Sequence, residues 1–248
     1  MDKRPWLFVP LLLGCMSFEL HAQTVAPTDM IASKPDFAFP DGPIRIILLK
    51  PDIEVSELTT GGVEAPNADW TAKARENLIG ALGPGQLGGD ATVRPMPDLV
   101  GDDNRTMVDY RLLLKAVVRS VVTHRQASDD RLPAKDGKFD WTLGPGARRL
   151  GEMGGGDYGL FLSSQDSFKS ADGQAARVVG ALLGAEEQAE KHTGYAGLVD
   201  LATGDLVWLA VESSMRGDIR SAEGARRRMT QLLRTFPKRA IPVVPTKP

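Results

Sequence analysis

Apolar and polar residues fall in blocks along this chain, and the period within each block separates helix from strand. Ile44-Arg45-Ile46-Ile47-Leu48-Leu49 is a β-branched run that stops at Pro51, the pattern of a buried strand. Trp70, Ala74, Leu78, Ala81 and Leu82 recur at helical spacing behind Asn67 or Asp69, either of which can cap, and Gly83-Pro84 ends the segment. Ala91 to Arg94 reads as a short second strand closed by Pro95 and Pro97. Met107, Tyr110, Leu114, Val117, Val118 and Val121 predict a longer helix with Thr106 suited to its cap, while the valine-rich half keeps strand open as the alternative.

Pro145 to Met153 predicts a small helix closed by Gly154-Gly155-Gly156, and Tyr158 to Leu162 a strand. Ala171 to Ala185 is apolar on one side with several small residues, a helix or a loop over the sheet. Gly194 to Leu201 and Asp205 to Ser213 flank Ala202-Thr203-Gly204, which predicts a hairpin with Gly204 in the left-handed turn position. Both strands are apolar on both faces near the turn, so other elements are expected to cover them. Ser221 can cap a last helix whose stripe is Ala222, Ala225, Met229, Leu232, Leu233 and Phe236, with Glu223 in its first turn and Pro237 at its end. The element order predicts one α/β domain over residues 44–236, a mixed sheet of roughly five strands covered by three or four helices.

The first residues carry the parts of an export signal: Lys3 and Arg4, the apolar run Trp6 to Phe18, and a small-residue exit at Leu20-His21-Ala22. Residues 1–22 are therefore expected to be removed, leaving a soluble periplasmic protein. Leu12-Leu13-Gly14-Cys15 also resembles a lipobox, and lipidation at Cys15 is the alternative, with attachment to the outer membrane only in that case. Prolines 27, 35, 40 and 43 make residues 23–43 read as an extended leader, and residues 237–248 as a Pro-rich tail.

Composition narrows the chemistry. The chain has 248 residues, 42% hydrophobic and 25% charged, which after the signal suffices for one domain with a core. A net charge of −2 makes nucleic acid an unexpected partner. Cys15 is the only cysteine, so no disulfide or thiolate chemistry is expected in the mature domain. His21, His124 and His192 lie far apart, which predicts no metal site. Gly83-Pro84-Gly85-Gln86-Leu87-Gly88 has dinucleotide-loop spacing but follows a helix rather than a strand, and no other motif implies a cofactor. Asp102-Asp103, Asp129-Asp130 and Glu186-Glu187 read as solvated loop charge, and Arg226-Arg227-Arg228 as a solvated helix face, with an anionic partner as the alternative. No catalytic constellation emerges. Open α/β sheets place sites beyond strand ends, which makes Lys50, Asp52 and Glu54 after the first strand, Asp166 after the third, and Arg216, Asp218 and Arg220 before the last helix the candidate binding surface. The bland reading is that Asp52 orders a turn and Asp218 pairs with Arg220.

Two stretches carry a resemblance: Leu150-Gly151-Glu152-Met153 through Asp157-Tyr158-Gly159-Leu160, and Gly197-Leu198-Val199-Asp200 through Thr203-Gly204-Asp205-Leu206-Val207-Trp208. In this order they resemble the CsgG-like curli-secretion lipoproteins, a group that shares its plan with the TolB amino-terminal domain and with lipoprotein activators of penicillin-binding proteins. The resemblance implies the fold and a non-enzymatic binding or assembly role towards an envelope protein or outer-membrane assembly, of unstated oligomeric state. A pore is not expected, because Ala171 to Lys191 lacks the period-2 alternation of a membrane strand. The alternative is a small envelope hydrolase whose acid and base groups are gathered by loops.

Overall fold

The computed structural model describes residues 29–59, 63–83, 86–88, 91–126, 132, 135, 137–169 and 189–239. The expected export signal, Cys15, Ala171 to Ala185, Asp129-Asp130, Glu186-Glu187 and most of the tail lie outside them.

The domain is mixed α/β, as its element order predicts. Nine strands form one sheet rather than roughly five: β1 (Met30–Ser33), β2 (Ile44–Leu48), β3 (Asp52–Leu58), β4 (Glu64–Pro66), β5 (Ala91–Pro95), β6 (Trp141–Thr142), β7 (Tyr158–Lys169), β8 (His192–Asp200) and β9 (Asp205–Glu212). Among the described residues four α-helices accompany them: α1 (Ala68–Gly80), α2 (Gly101–Gln126), α3 (Arg148–Gly154) and α4 (Ala222–Leu232). The main path runs β1-β9-β8-β7-β2-β5, with β3 beside β7, β4 outside β3 and β6 along β9.

Alternation along the central strands divides the core in two. Ile46, Leu48, Leu160, Leu198 and Trp208 face α1 and α4, while Ile47, Leu49, Phe161, Val199 and Leu209 face α2 and α3. Hence these strands are apolar on both sides. A bulge opposite Leu198 and Val199 leaves Val207 without a partner, so Val207 and Trp208 both enter the α1/α4 side.

Several local expectations meet tertiary corrections. Pro51 interrupts hydrogen bonding without reversing the chain: β2 runs parallel to the first part of β7, and β3 resumes in the same direction beside its second part. β7 accordingly reaches Lys169, well past Leu162. The proline-bearing segment before residue 44 is built in rather than trailing. β1 pairs with β9, Asp29 accepts hydrogen bonds from the Ser213 amide (2.7 Å) and hydroxyl (2.8 Å), and Phe39 is buried edge-on to Tyr158. The valine-rich segment is helix throughout. α2 starts at Gly101, which puts Thr106 in its second turn rather than at its cap and places Asp102 and Asp103 in its first turn rather than in a loop, where they suit the helix dipole. Asn67 caps α1 through the Trp70 amide at 3.0 Å, and Ser221 caps α4 through the Gly224 amide at 3.1 Å. No described helix is long and apolar enough to cross a membrane.

Candidate functional site

The candidate surface separates into two groups on opposite faces of the sheet. Lys50 is exposed at the β2–β3 break. Asp52 and Glu54 belong to β3 itself rather than to a loop after a strand, and they point to the α2 side, where Asp52 meets Lys115 Nζ at 3.1 Å. Asp166 sits inside β7 on the α4 side, not after a strand end. Arg216, Asp218 and Arg220 lie in the β9–α4 loop close to it.

Around Asp166 the chain has assembled a closed polar network that sequence reading missed. Its carboxylate accepts from Arg228 Nη2 (2.9 Å) and Nη1 (3.1 Å), from the Ser164 hydroxyl (2.7 Å) and from His192 Nδ1 (2.8 Å). Arg228 also donates through Nη1 to Ser164 Oγ (3.0 Å), through Nη2 to the Gly217 carbonyl (2.7 Å) and through Nε to the Arg216 carbonyl (3.1 Å). All five guanidinium donors and the lone-pair positions of the carboxylate are thereby used. Arg228 is therefore not a solvated residue, and it departs from the expectation for its run. The His192 Nε2 faces Glu190 at 3.7 Å, a carboxylate rather than a hydroxyl it could activate. Such a network fastens α4 and its loop to β7 and β8. The Asp166–Arg228 pair at its centre keeps no donor or acceptor for a substrate.

Asp218 and Arg220 also pair locally, with Nε to Oδ1 at 2.9 Å and Nη2 to Oδ2 at 2.8 Å, while the guanidinium covers Phe168 at 3.9 Å and Trp70 at 4.5 Å. Burial pushes the Asp218 carboxyl up, but the Arg220 side-chain and amide donors, with the Arg220 and His192 charges, outweigh it and hold the group below its ordinary value.

An open site lies at the other end of the sheet, where the parallel strands β2 and β7 begin. A cleft of about 620 Å³ is bounded there by Pro40, Pro43, Ile44 and Tyr158, by the end of α3, and by Leu201 and Ala202 of the hairpin turn. Its position follows from local sequence. Gly155 ends α3 with φ 69°, and a Cβ on Gly156 would lie 2.7 Å from Ile47 Cγ2, so only glycine lets this corner close on β2. Asp157 is thereby set beside Arg45, which donates through Nε at 2.8 Å and through Nη2. That donation holds the Asp157 carboxyl below its ordinary value against the opposing effect of burial. Asp200 accepts from the Ala202 amide (2.8 Å) and the Thr203 amide (3.3 Å). Burial, then the Asp200 and Asp157 charges, push the Tyr158 hydroxyl up and keep it neutral. Arg148 lines the rim with no recorded partner among the described residues. No cluster of three metal-ligating side chains occurs among the described residues.

The cleft combines an apolar floor, one compensated ion pair and one free guanidinium. None of the candidate residues chosen from sequence lines it. The usual rule for α/β sheets looks beyond the carboxyl ends of strands, whereas this cleft lies at the amino ends. The sequence nevertheless marks it: Glu152, Asp157 and Tyr158 belong to one stretch that carries the resemblance, and Asp200, Leu201 and Ala202 to the other.

No family model matches the chain, and no curated protein does. Among solved structures it is similar to the PelC dodecamer from Paraburkholderia phytofirmans, at 14% identity over 86% of this chain and 99% of that one, with a TM-score of 0.36. A point variant of the same dodecamer gives 13% identity, the same coverage and a TM-score of 0.37. A likeness of that size leaves the function of this chain to be argued from its own residues.

Proposed function

We propose that this protein is an exported, non-enzymatic binding or assembly factor of the bacterial cell envelope, related to the CsgG-like and TolB amino-terminal group, and that the cleft between α3 and the β8–β9 turn receives a segment of an envelope protein. One observation carries the reading. The two stretches that resemble that group are separate in sequence, with Tyr158 and Asp200 42 positions apart, yet they line the same cleft from opposite sides, Asp157 and Tyr158 from one and Asp200 to Ala202 from the other. The buried Asp166 and Arg228 are engaged with each other, whereas Arg148 at the cleft rim is exposed and has no recorded partner among the described residues.

Photo-crosslinking in the native host tests this. A crosslinking residue at exposed Ala202, on the cleft rim, is expected to give a discrete adduct with one envelope protein. The same residue at exposed Thr230, on α4, is expected not to. An Arg148→Glu exchange should weaken the adduct while leaving the melting temperature unchanged. Absence of an adduct at Ala202, or adducts with cytoplasmic proteins alone, overturns the reading.

A further inference from the structure

The solvent face of α2 carries a pattern that neither the core nor the cleft uses. Met107, Leu114, Val118 and Val121 hold the helix to the sheet. On the other side Arg105, Asp109, Leu112, Ala116 and Arg119 are all exposed and succeed one another at intervals of 4, 3, 4 and 3 residues. That alternation, averaging 3.5 residues, sets the five on one continuous face of the helix. The middle of the stripe is apolar: Leu112 is 56% exposed and its neighbour Leu113 is 42% exposed, two of the few large apolar side chains the domain leaves in solvent. Asp109 and Arg119 bracket it. Unlike Lys115, which is paired with Asp52, neither has a recorded partner among the described residues.

We propose that α2 is a self-association surface, and that its occupant is the α2 helix of a second copy of this chain, packed antiparallel about a two-fold axis near Leu114. In that register Asp109 of each copy faces Arg119 of the other, Leu112 faces Ala116, and Arg105 faces Thr123. A two-fold contact must be self-complementary, and this one is, because the opposite charges stand about 15 Å apart along the axis on either side of the apolar centre. The parallel arrangement fails the same requirement, since it sets Asp109 against Asp109 and Arg119 against Arg119. One helix face is smaller than the roughly 800 Å² per partner of a standard stable complex, so the dimer is weak and sensitive to salt. The surface is separate from the cleft and does not depend on what the cleft binds.

Sedimentation equilibrium of the protein purified from its native host, at low ionic strength, is expected to show reversible dimers. Asp109→Arg and Arg119→Asp should each raise the dissociation constant about tenfold or more, because each puts like charges across the axis twice. The double exchange should regain most of the affinity, since it only inverts the pairs. Leu112→Glu should leave monomers. All three positions are exposed, and unchanged circular dichroism and melting temperature serve as the check on folding. A monomer at every concentration, a dimer indifferent to Leu112→Glu, or a double exchange no tighter than the singles overturns the proposal.

Discussion

Asp166 on β7 and Arg228 on α4 meet through paired bonds of 2.9 and 3.1 Å, with side chains 0% and 1% exposed. Removing one member leaves the other charge buried and uncompensated, which costs about 3–5 kcal/mol, whereas removing both into apolar residues of similar size costs much less. Urea unfolding of Arg228→Met and Asp166→Leu should therefore show large separate losses and a double variant more stable than either single. Loss of the Arg228 donors to the Arg216 and Gly217 carbonyls adds to the single-variant cost.

The neighbouring arginines provide the control. Arg227 is exposed and pairs with Glu223 one turn away, and Arg226 is exposed. Alanine at Arg227 should change stability by no more than about 0.5 kcal/mol. Equal costs at Arg227 and Arg228 in the same urea series would contradict the geometry.

Local signals were legible because the physics that fixes them is local. Asn67 and Ser221 cap because a short polar side chain reaches an amide three residues on, and Gly204 turns the hairpin with φ 82°. The arginine run was misread because its three members are chemically alike: only the rotation of α4 and the arrival of Ser164 and Asp166 decide which one is buried. β1 was illegible since prolines around it weaken the strand signal, and its reason to form is the edge of β9, far along the chain. Pro51 was read as an end because sequence shows the missing donor but not that β7 is long enough to pair with strands on both sides of it. The cleft needed Arg45 and Asp157 brought together across 112 positions.

Two glycines with the same backbone sign should respond differently. Gly155 has φ 69° and open space where a Cβ would go, so Gly155→Ala should cost about 1 kcal/mol from conformation alone. At Gly204 a Cβ would lie 2.0 Å from the Gly144 carbonyl oxygen, and that loop is held by the Leu143 amide donating to the Gly204 carbonyl at 2.7 Å. Gly204→Ala must move backbone, and thermal melts should show a loss at least twice that of Gly155→Ala.

Acid sensitivity follows from the carboxylates held below their ordinary value, Asp29, Asp157 and Asp218. A lowered folded-state value means that the unfolded chain binds the proton first. The stabilisation is thus complete above the ordinary 3.8 and is lost as pH falls through the folded values below it. Stability measured between neutral pH and pH ~2 should fall most steeply below about 4, and Asp218→Asn should flatten that fall while lowering stability at neutral pH. An unaltered slope in the variant would remove Asp218 from the account.

Trp208 lies at the bulge of β9, 0% exposed, with its ring 5.3 Å from that of Phe236 and its indole N–H facing no acceptor among the described residues. Its contribution is therefore volume and contact rather than hydrogen bonding. Trp208→Ala should cost about 3–5 kcal/mol, since the rigid sheet cannot close the space, a loss comparable with much of a domain's stability. Trp208→Phe keeps the ring edge against Phe236 and breaks no bond to protein, so it should cost roughly 1–2 kcal/mol. Chemical denaturation of the two variants separates the contributions: if phenylalanine were as damaging as alanine, the indole N–H would have to be engaged, and the packing account of the β8–β9 hairpin would fail at its centre.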